Sequence, residues 1–125
     1  MSAPSPPLRV AIAGLGFGAK VHLPALRSCQ NTEPVALWHP RTERLEAACR
    51  DAELTGYSDF SQLLADPTVE AVVIATPPEP RFALAKKALE AGKHVMLEKP
   101  VALCAEQAED LQRLALAQQR TVGVD

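Results

Sequence analysis

The sequence predicts an α/β domain, a doubly wound and mostly parallel sheet of six strands in the order 3-2-1-4-5-6 with helices on both faces. Three observations point to it. Short apolar bursts alternate with helix-period patterns along the whole chain. A glycine-rich run, Gly14-Leu15-Gly16-Phe17-Gly18-Ala19, follows the first burst directly and opens a helix. The burst Ala71-Val72-Val73-Ile74-Ala75 is continuous rather than alternating, as in a strand covered on both faces.

The elements follow in order. Leu8 to Ala13 is the first strand. A helix spans Ala19 to Ser28, with Pro24 kinking it or confining its regular part to later residues. Val35 to Trp38 is the second strand, and Thr42 caps a helix from about Glu43 to Ala52 that puts Leu45, Ala48 and Cys49 on one face. A weak strand lies around Leu54 to Tyr57, and Ser58 or Asp59 caps a brief helix holding Phe60, Leu63 and Leu64. After the strand Ala71 to Ala75, a helix runs from about Glu79 to Ala91 and closes on Gly92. Val95 to Leu97, a helix from about Ala105 to Gln119, and Thr121 to Val124 complete the pattern.

Composition narrows the function. The 125 residues suffice for one domain with a real core. Thirteen basic and fifteen acidic side chains give a formal net charge of -2, so nothing argues for nucleic acid or an anionic membrane as a partner. Three cysteines stand far apart without metal-ligand spacing, which predicts no metal site and reduced thiols in a cytoplasmic protein. Residues 1–7 read as a disordered arm that lacks the basic start and apolar run of a signal peptide, and no stretch approaches transmembrane length.

The glycine run has the residues a phosphate-binding loop needs. Gly14 permits the tight turn, Gly16 lets backbone approach a pyrophosphate, and Ala19 is small enough for close helix-strand packing. The amides at the helix start then meet the anion. Phe17 and Gly18 belong to the same loop. At the end of the second strand, Trp38-His39-Pro40-Arg41 contains no carboxylate to hold the ribose of NAD; Glu33 lies at the wrong end and Glu43 in the next helix. Arg41 and Arg44 could meet the 2'-phosphate of NADP or stand solvated at the helix start, and Arg41 could stack on adenine in either cofactor. NADP is favoured over NAD on this ground. Thr76-Pro77-Pro78 ends the fourth strand at the same sheet edge, and Glu98-Lys99-Pro100 ends the fifth. An acid and a base at the carboxyl end of a parallel strand, stopped by proline, mark a ligand site.

Three segments then carry a specific resemblance: Val72-Val73-Ile74-Ala75-Thr76-Pro77-Pro78, Ala88-Leu89-Glu90-Ala91-Gly92-Lys93-His94-Val95, and Glu98-Lys99-Pro100. Together with the glycine loop and His22-Leu23-Pro24-Ala25-Leu26, they resemble the glucose-fructose oxidoreductase, inositol dehydrogenase and MocA-like (Gfo/Idh/MocA) family, over about Leu8 to Asp125. The resemblance implies a Rossmann domain of an NAD(P)-dependent dehydrogenase or reductase, usually acting on a sugar, cyclitol or related polyol. It implies that Gly14, Gly16 and Ala19 bind the pyrophosphate, that Thr76 and Pro77 line the nicotinamide side, that Glu98 supports the cofactor and substrate edge, and that Lys99 contacts the reacting hydroxyl or carbonyl. One departure stands out: three positions after Pro78, where the family often carries His or Asn, this chain has Arg81. His22 and His94, each at an element start among apolar neighbours, are expected to be structural rather than catalytic.

In that family a second α/β domain follows, supplying the substrate pocket, much of the oligomer interface and the Asp and His that complete catalysis. The expectation is therefore a cofactor-binding domain that reaches its small-molecule substrate through a domain absent from these residues, with homo-oligomer formation left open and little or no turnover by itself. A standalone nucleotide-binding or redox-sensing module is the alternative suggested by the chain length. An S-adenosylmethionine binder would need the missing acid after the second strand.

Overall fold

A computed structural model describes residues 6–16, 18–98 and 105–124. Among the described residues six strands form one sheet, β1 (Leu8–Ala13), β2 (Thr32–Trp38), β3 (Thr55–Tyr57), β4 (Ala71–Ile74), β5 (His94–Leu97) and β6 (Val122–Val124). Their order is β3-β2-β1-β4-β5-β6, as expected, and every pairing is parallel. The expected arm falls largely on residues 1–5, outside the described residues.

Side chains alternate across the sheet because successive residues of a strand face opposite ways. Ala11, Ala13, Ala36, Val72, Ile74, Val95 and Leu97 pack with Phe60 and Leu63 of α3 (Phe60–Ala65), Leu84, Ala85, Ala88 and Leu89 of α4 (Pro78–Glu90), and Leu111 and Ala115 of α5 (Ala105–Gln118). On the opposite face Ile12 and Leu37 meet Leu23 of α1 (Leu23–Ser28) and Leu45 and Ala52 of α2 (Thr42–Ala52). Ile12, Leu37 and Ile74 are fully buried, each stabilising the fold by about 1.5–3 kcal/mol relative to exposure.

Three local details differ from the sequence reading. Between the glycine loop and α1 lies a π-helical turn, Gly18–His22, so the regular α-helix begins at Leu23 with Pro24 in its first turn, where a missing N–H costs nothing. β2 begins at Thr32 and includes Pro34. The register against β1 slips there, with Val10 opposite Pro34 and Ala11 opposite Ala36, leaving Val35 as the extra residue. A bulge accommodates a residue that cannot donate to the ladder, and β3 pairs only with the later part of β2. Thr42 is the first helical residue of α2 rather than its cap, which is Arg41.

Helix ends otherwise follow the expected chemistry. The Asp59 carboxylate accepts from the Ser61 amide at 2.9 Å, a cap contributing about 1 kcal/mol. Gly92 leaves α4 at φ +82° and donates to the Leu89 carbonyl at 2.9 Å. At the amino-terminal edge of the sheet, buried Lys93 donates to the carbonyls of Val69 at 2.6 Å and Asp66 at 3.2 Å. Burial pulls its ammonium below the ordinary lysine range, and the Asp66 charge opposes that.

Candidate functional site

Connections from β1 and β4 leave the sheet in opposite directions, and the crevice beyond their carboxyl ends is where such sheets bind ligands. A cleft of about 750 Å³ lies there, within the size range of small-ligand and cofactor sites. Gly14, Leu15 and Gly16 line it after β1, Trp38 to Arg41 and Arg44 after β2, Ala75 to Pro77 with Pro80 and Arg81 after β4, and Glu98 after β5. Four strand ends thus meet at one cavity.

Backbone hydrogen bonds carry the sheet into these loops. Gly14 donates to the Trp38 carbonyl at 3.1 Å, Ala75 to Ala13 at 2.9 Å, Glu98 to Ile74 at 3.3 Å, and His39 to Tyr57 at 3.2 Å. Gly14 adopts φ +121°, a conformation L residues rarely take, and a Cβ there would lie 2.8 Å from the Ala75 carbonyl oxygen. Gly16 is different: a Cβ built on it meets nothing within 4 Å. The first glycine lets two loops touch, and the second leaves bare backbone facing open space, as a pyrophosphate cradle requires.

On the β2 side, Trp38 is held by its indole N–H donating to the Ser58 carbonyl at 3.2 Å and by an edge-to-face contact with Phe60, ring centroids 5.2 Å apart. The His39 Nδ1 accepts from the Arg41 amide at 3.0 Å. Burial, then the nearby Arg44 charge, holds this imidazole below its usual range, which keeps that nitrogen available as an acceptor. Arg41 and Arg44 are exposed at the rim. Among the described residues lining the cleft, Glu98 is the only carboxylate, so none stands at the end of β2.

On the other side, β4 ends at Ile74, Thr76 is buried, and Pro77 caps α4, with Pro78 as its first helical residue. Arg81 accounts for the departure noted in the sequence. It is buried at 4% exposure, its Nη1 donating to the Glu98 carbonyl at 2.8 Å and its Nη2 to the Thr76 carbonyl at 2.5 Å. The guanidinium therefore joins the ends of β4 and β5. Burial lowers its proton affinity and the Glu98 charge restores part of it. His22 is also buried, and its Nε2 is hydrogen-bonded to Glu98 Oε1.

Of the residues singled out from sequence, Gly14, Gly16, His39, Arg41, Arg44, Thr76, Pro77 and Glu98 share the cleft. Gly18 and Ala19 lie in the π-helical turn and Pro78 in α4. Phe17, Lys99 and Pro100 lie outside the described residues. His94 is remote from the cleft, its Nδ1 accepting from the Thr121 amide at 3.1 Å beside β6. The sequence reading passed over Trp38 and Arg81 as cleft residues and over His22 as the partner of Glu98. For His22 a signal existed, its place in the motif His22-Leu23-Pro24.

Comparison with known proteins places this arrangement. The Gfo/Idh/MocA family model, described as an oxidoreductase family with an NAD-binding Rossmann fold, matches residues 8–125. An uncharacterized oxidoreductase of Synechocystis sp. is 43% identical over 121 residues, covering 96% of this chain and 32% of that protein. Biliverdin reductase from Synechocystis, solved with biliverdin and NADP+, superposes with a TM-score of 0.88 at 30% identity, covering 95% of this chain and 38% of that one. The WlbA dehydrogenase of Chromobacterium violaceum, solved with NADH and UDP-GlcNAcA, gives 0.90 at 25% identity, covering 98% and 36%. The chain spans about a third of the length of these relatives, 32% to 38%. It belongs to the Gfo/Idh/MocA family of oxidoreductases, and residues 8–125 form its NAD(P)-binding Rossmann domain.

Proposed function

We propose that this domain holds NADP, in preference to NAD, for hydride transfer at a sugar, cyclitol or related polyol or carbonyl. The observation that carries the reading is the single cleft shared by the ends of β1, β2, β4 and β5. Gly14, Gly16, Phe17, Gly18 and Ala19 take the pyrophosphate, and His39 and Arg41 the adenosine end. Thr76, Pro77, Pro78 and Glu98 form the nicotinamide end. The open space at Gly16 fits a close-approaching phosphate. The preference for NADP rests on Arg41 and Arg44 at the rim and on the lack of a carboxylate there among the described cleft residues.

When bound, the nicotinamide supplies or accepts the hydride. Lys99, next in the chain after Glu98, handles the accompanying proton: as an amine it accepts it from the substrate hydroxyl, and as an ammonium it polarises the carbonyl in the reverse direction. The sugar-class substrate is supported by the Glu98-Lys99-Pro100 motif and by the nucleotide sugar bound in the WlbA structure. On this reading the 125-residue polypeptide binds the dinucleotide with little or no turnover by itself.

Fluorescence titration of the purified chain with NADPH and NADH tests the reading. Saturable binding of both with tighter NADPH supports it. Equal or tighter NADH binding removes the preference, and no binding of either removes the function. In a catalytically competent form of the protein, Lys99→Met should cut turnover on an active polyol by about 100-fold or more while cofactor affinity stays unchanged.

A further inference from the structure

We propose that His22 is a positioning residue of the dinucleotide site, orienting the Glu98 carboxylate and tying the glycine loop to the end of β5. The inference rests on the cofactor reading above and assigns a role to a side chain outside the cleft wall.

The two residues are 76 positions apart, and their side chains meet with His22 at 6% exposure and Glu98 at 19%. His22 closes the π-helical turn Gly18–His22, whose first two residues belong to the loop proposed to hold the pyrophosphate. Glu98 follows the last residue of β5 and precedes Lys99.

The main chain at Glu98 is fixed independently of His22. Its amide donates to Ile74 at 3.3 Å, and its carbonyl accepts from Arg81 at 2.8 Å. Neither bond sets the side-chain torsions. Those are constrained by the imidazole, which engages Oε1.

That constraint has a chemical use. An ionised carboxylate accepts at two oxygens with about four lone-pair positions, so an imidazole N–H on one oxygen leaves acceptor capacity for hydroxyl groups of a bound ligand. Without the imidazole the side chain would sample other rotamers, and each ligand contact would have to order it first. A negative charge lining a cleft for a diphosphate also needs a nearby donor, and His22 provides one.

A double-mutant cycle read on cofactor affinity tests this, with thermal melting of each variant as a separate readout. His22→Leu should raise the NADPH dissociation constant about tenfold or more. His22→Gln, which keeps an N–H donor near the position of Nε2, should recover affinity to within about threefold of wild type. Once Glu98→Gln is present, adding His22→Leu should weaken binding by less than about twofold. In the wild-type chain, the imidazole ¹⁵N resonance of His22 should shift on saturation with NADPH, a measurement that needs no variant to fold. If wild type binds NADPH while folded His22→Leu binds as tightly, or the resonance stays still at saturation, His22 serves the fold alone and the proposal fails. If His22→Gln and His22→Leu lose affinity in step with their loss of melting temperature, the proposal also fails. Failure of wild type to bind either dinucleotide would instead bring down the cofactor reading, and this inference with it.

Discussion

The carbonyl oxygen of Ala75 occupies the position where Gly14 would need room for a side chain, 2.8 Å from an ideal Cβ, while Gly14 itself sits at φ +121°. Gly14 and Gly16 are therefore constrained by different things. Gly14→Ala must both strain its backbone and push β1 away from β4, and should cost about 2–4 kcal/mol in urea denaturation. Gly16→Ala meets no protein atom within 4 Å and should leave the denaturation midpoint unchanged. Its methyl group would nevertheless stand at the proposed pyrophosphate contact, so NADPH affinity should fall about tenfold. Equal stability losses in the two variants would contradict this division of roles.

Arg41 and Arg44 discriminate between two uses of a guanidinium at the cleft rim. A charge-assisted contact with a 2'-phosphate contributes about 1.5–3 kcal/mol, which is tenfold or more in affinity. Replacing both arginines with alanine should therefore raise the NADPH dissociation constant by about that factor and leave NADH within about twofold. A parallel loss for both cofactors would mean that Arg41 stacks on adenine and reads no phosphate. Titrating both dinucleotides against the same two preparations decides the point.

Arg81 carries the junction between β4 and β5 through the carbonyls of Thr76 and Glu98. Arg81→Met would leave two carbonyls without their donor, and should destabilise the domain by about 2–4 kcal/mol in chemical denaturation. Arg81→Lys should recover only part of this, because an ammonium is a point donor that cannot span two carbonyls as a planar fork does. Full recovery by lysine would show that charge at this position matters and geometry does not.

These contacts show where the sequence was legible. Continuous apolar runs located β1 and β4, and the strand order followed from alternating elements and right-handed crossovers, because burial on both faces leaves a direct compositional trace. Gly14 and Gly16 were readable because a loop between a strand and a helix uses local backbone freedom. β2 extends three residues before its apolar run Val35 to Trp38, and the bulge at Val35, which composition does not report, makes Pro34 tolerable there. The π-helical turn has no distinctive composition. Arg81 looked like a departure from a pattern because its partners, Thr76 and Glu98, come together only when β4 and β5 pair. The contact between His22 and Glu98 is longer-ranged still, and no periodicity reports it.

The loop between α3 and β4 should give the domain a pH window of stability. The Tyr57 hydroxyl donates to Asp66 Oδ2 at 2.6 Å, and the amide and hydroxyl of Thr68 donate to Oδ1 at 2.9 and 2.7 Å. The Tyr57 bond, then those from Thr68, hold the Asp66 carboxyl below its ordinary value, and the same Asp66 contact pushes the Tyr57 phenol above its own. For the acid, the unfolded chain binds the proton more tightly. Its contribution is full above the unfolded value near 4 and is lost as pH falls through the lower folded value. For the phenol the sign reverses: its contribution is full below the unfolded value near 10 and is lost as pH rises through the higher folded value. Tyr57→Phe should therefore cost most stability between about pH 5 and 9, on the order of 1 kcal/mol after solvent screening. Urea denaturation of both proteins across pH should show the difference shrinking on the acid and the alkaline side. A difference constant from pH 3 to 10 would mean that the ring's packing, and not its hydroxyl, carries the effect.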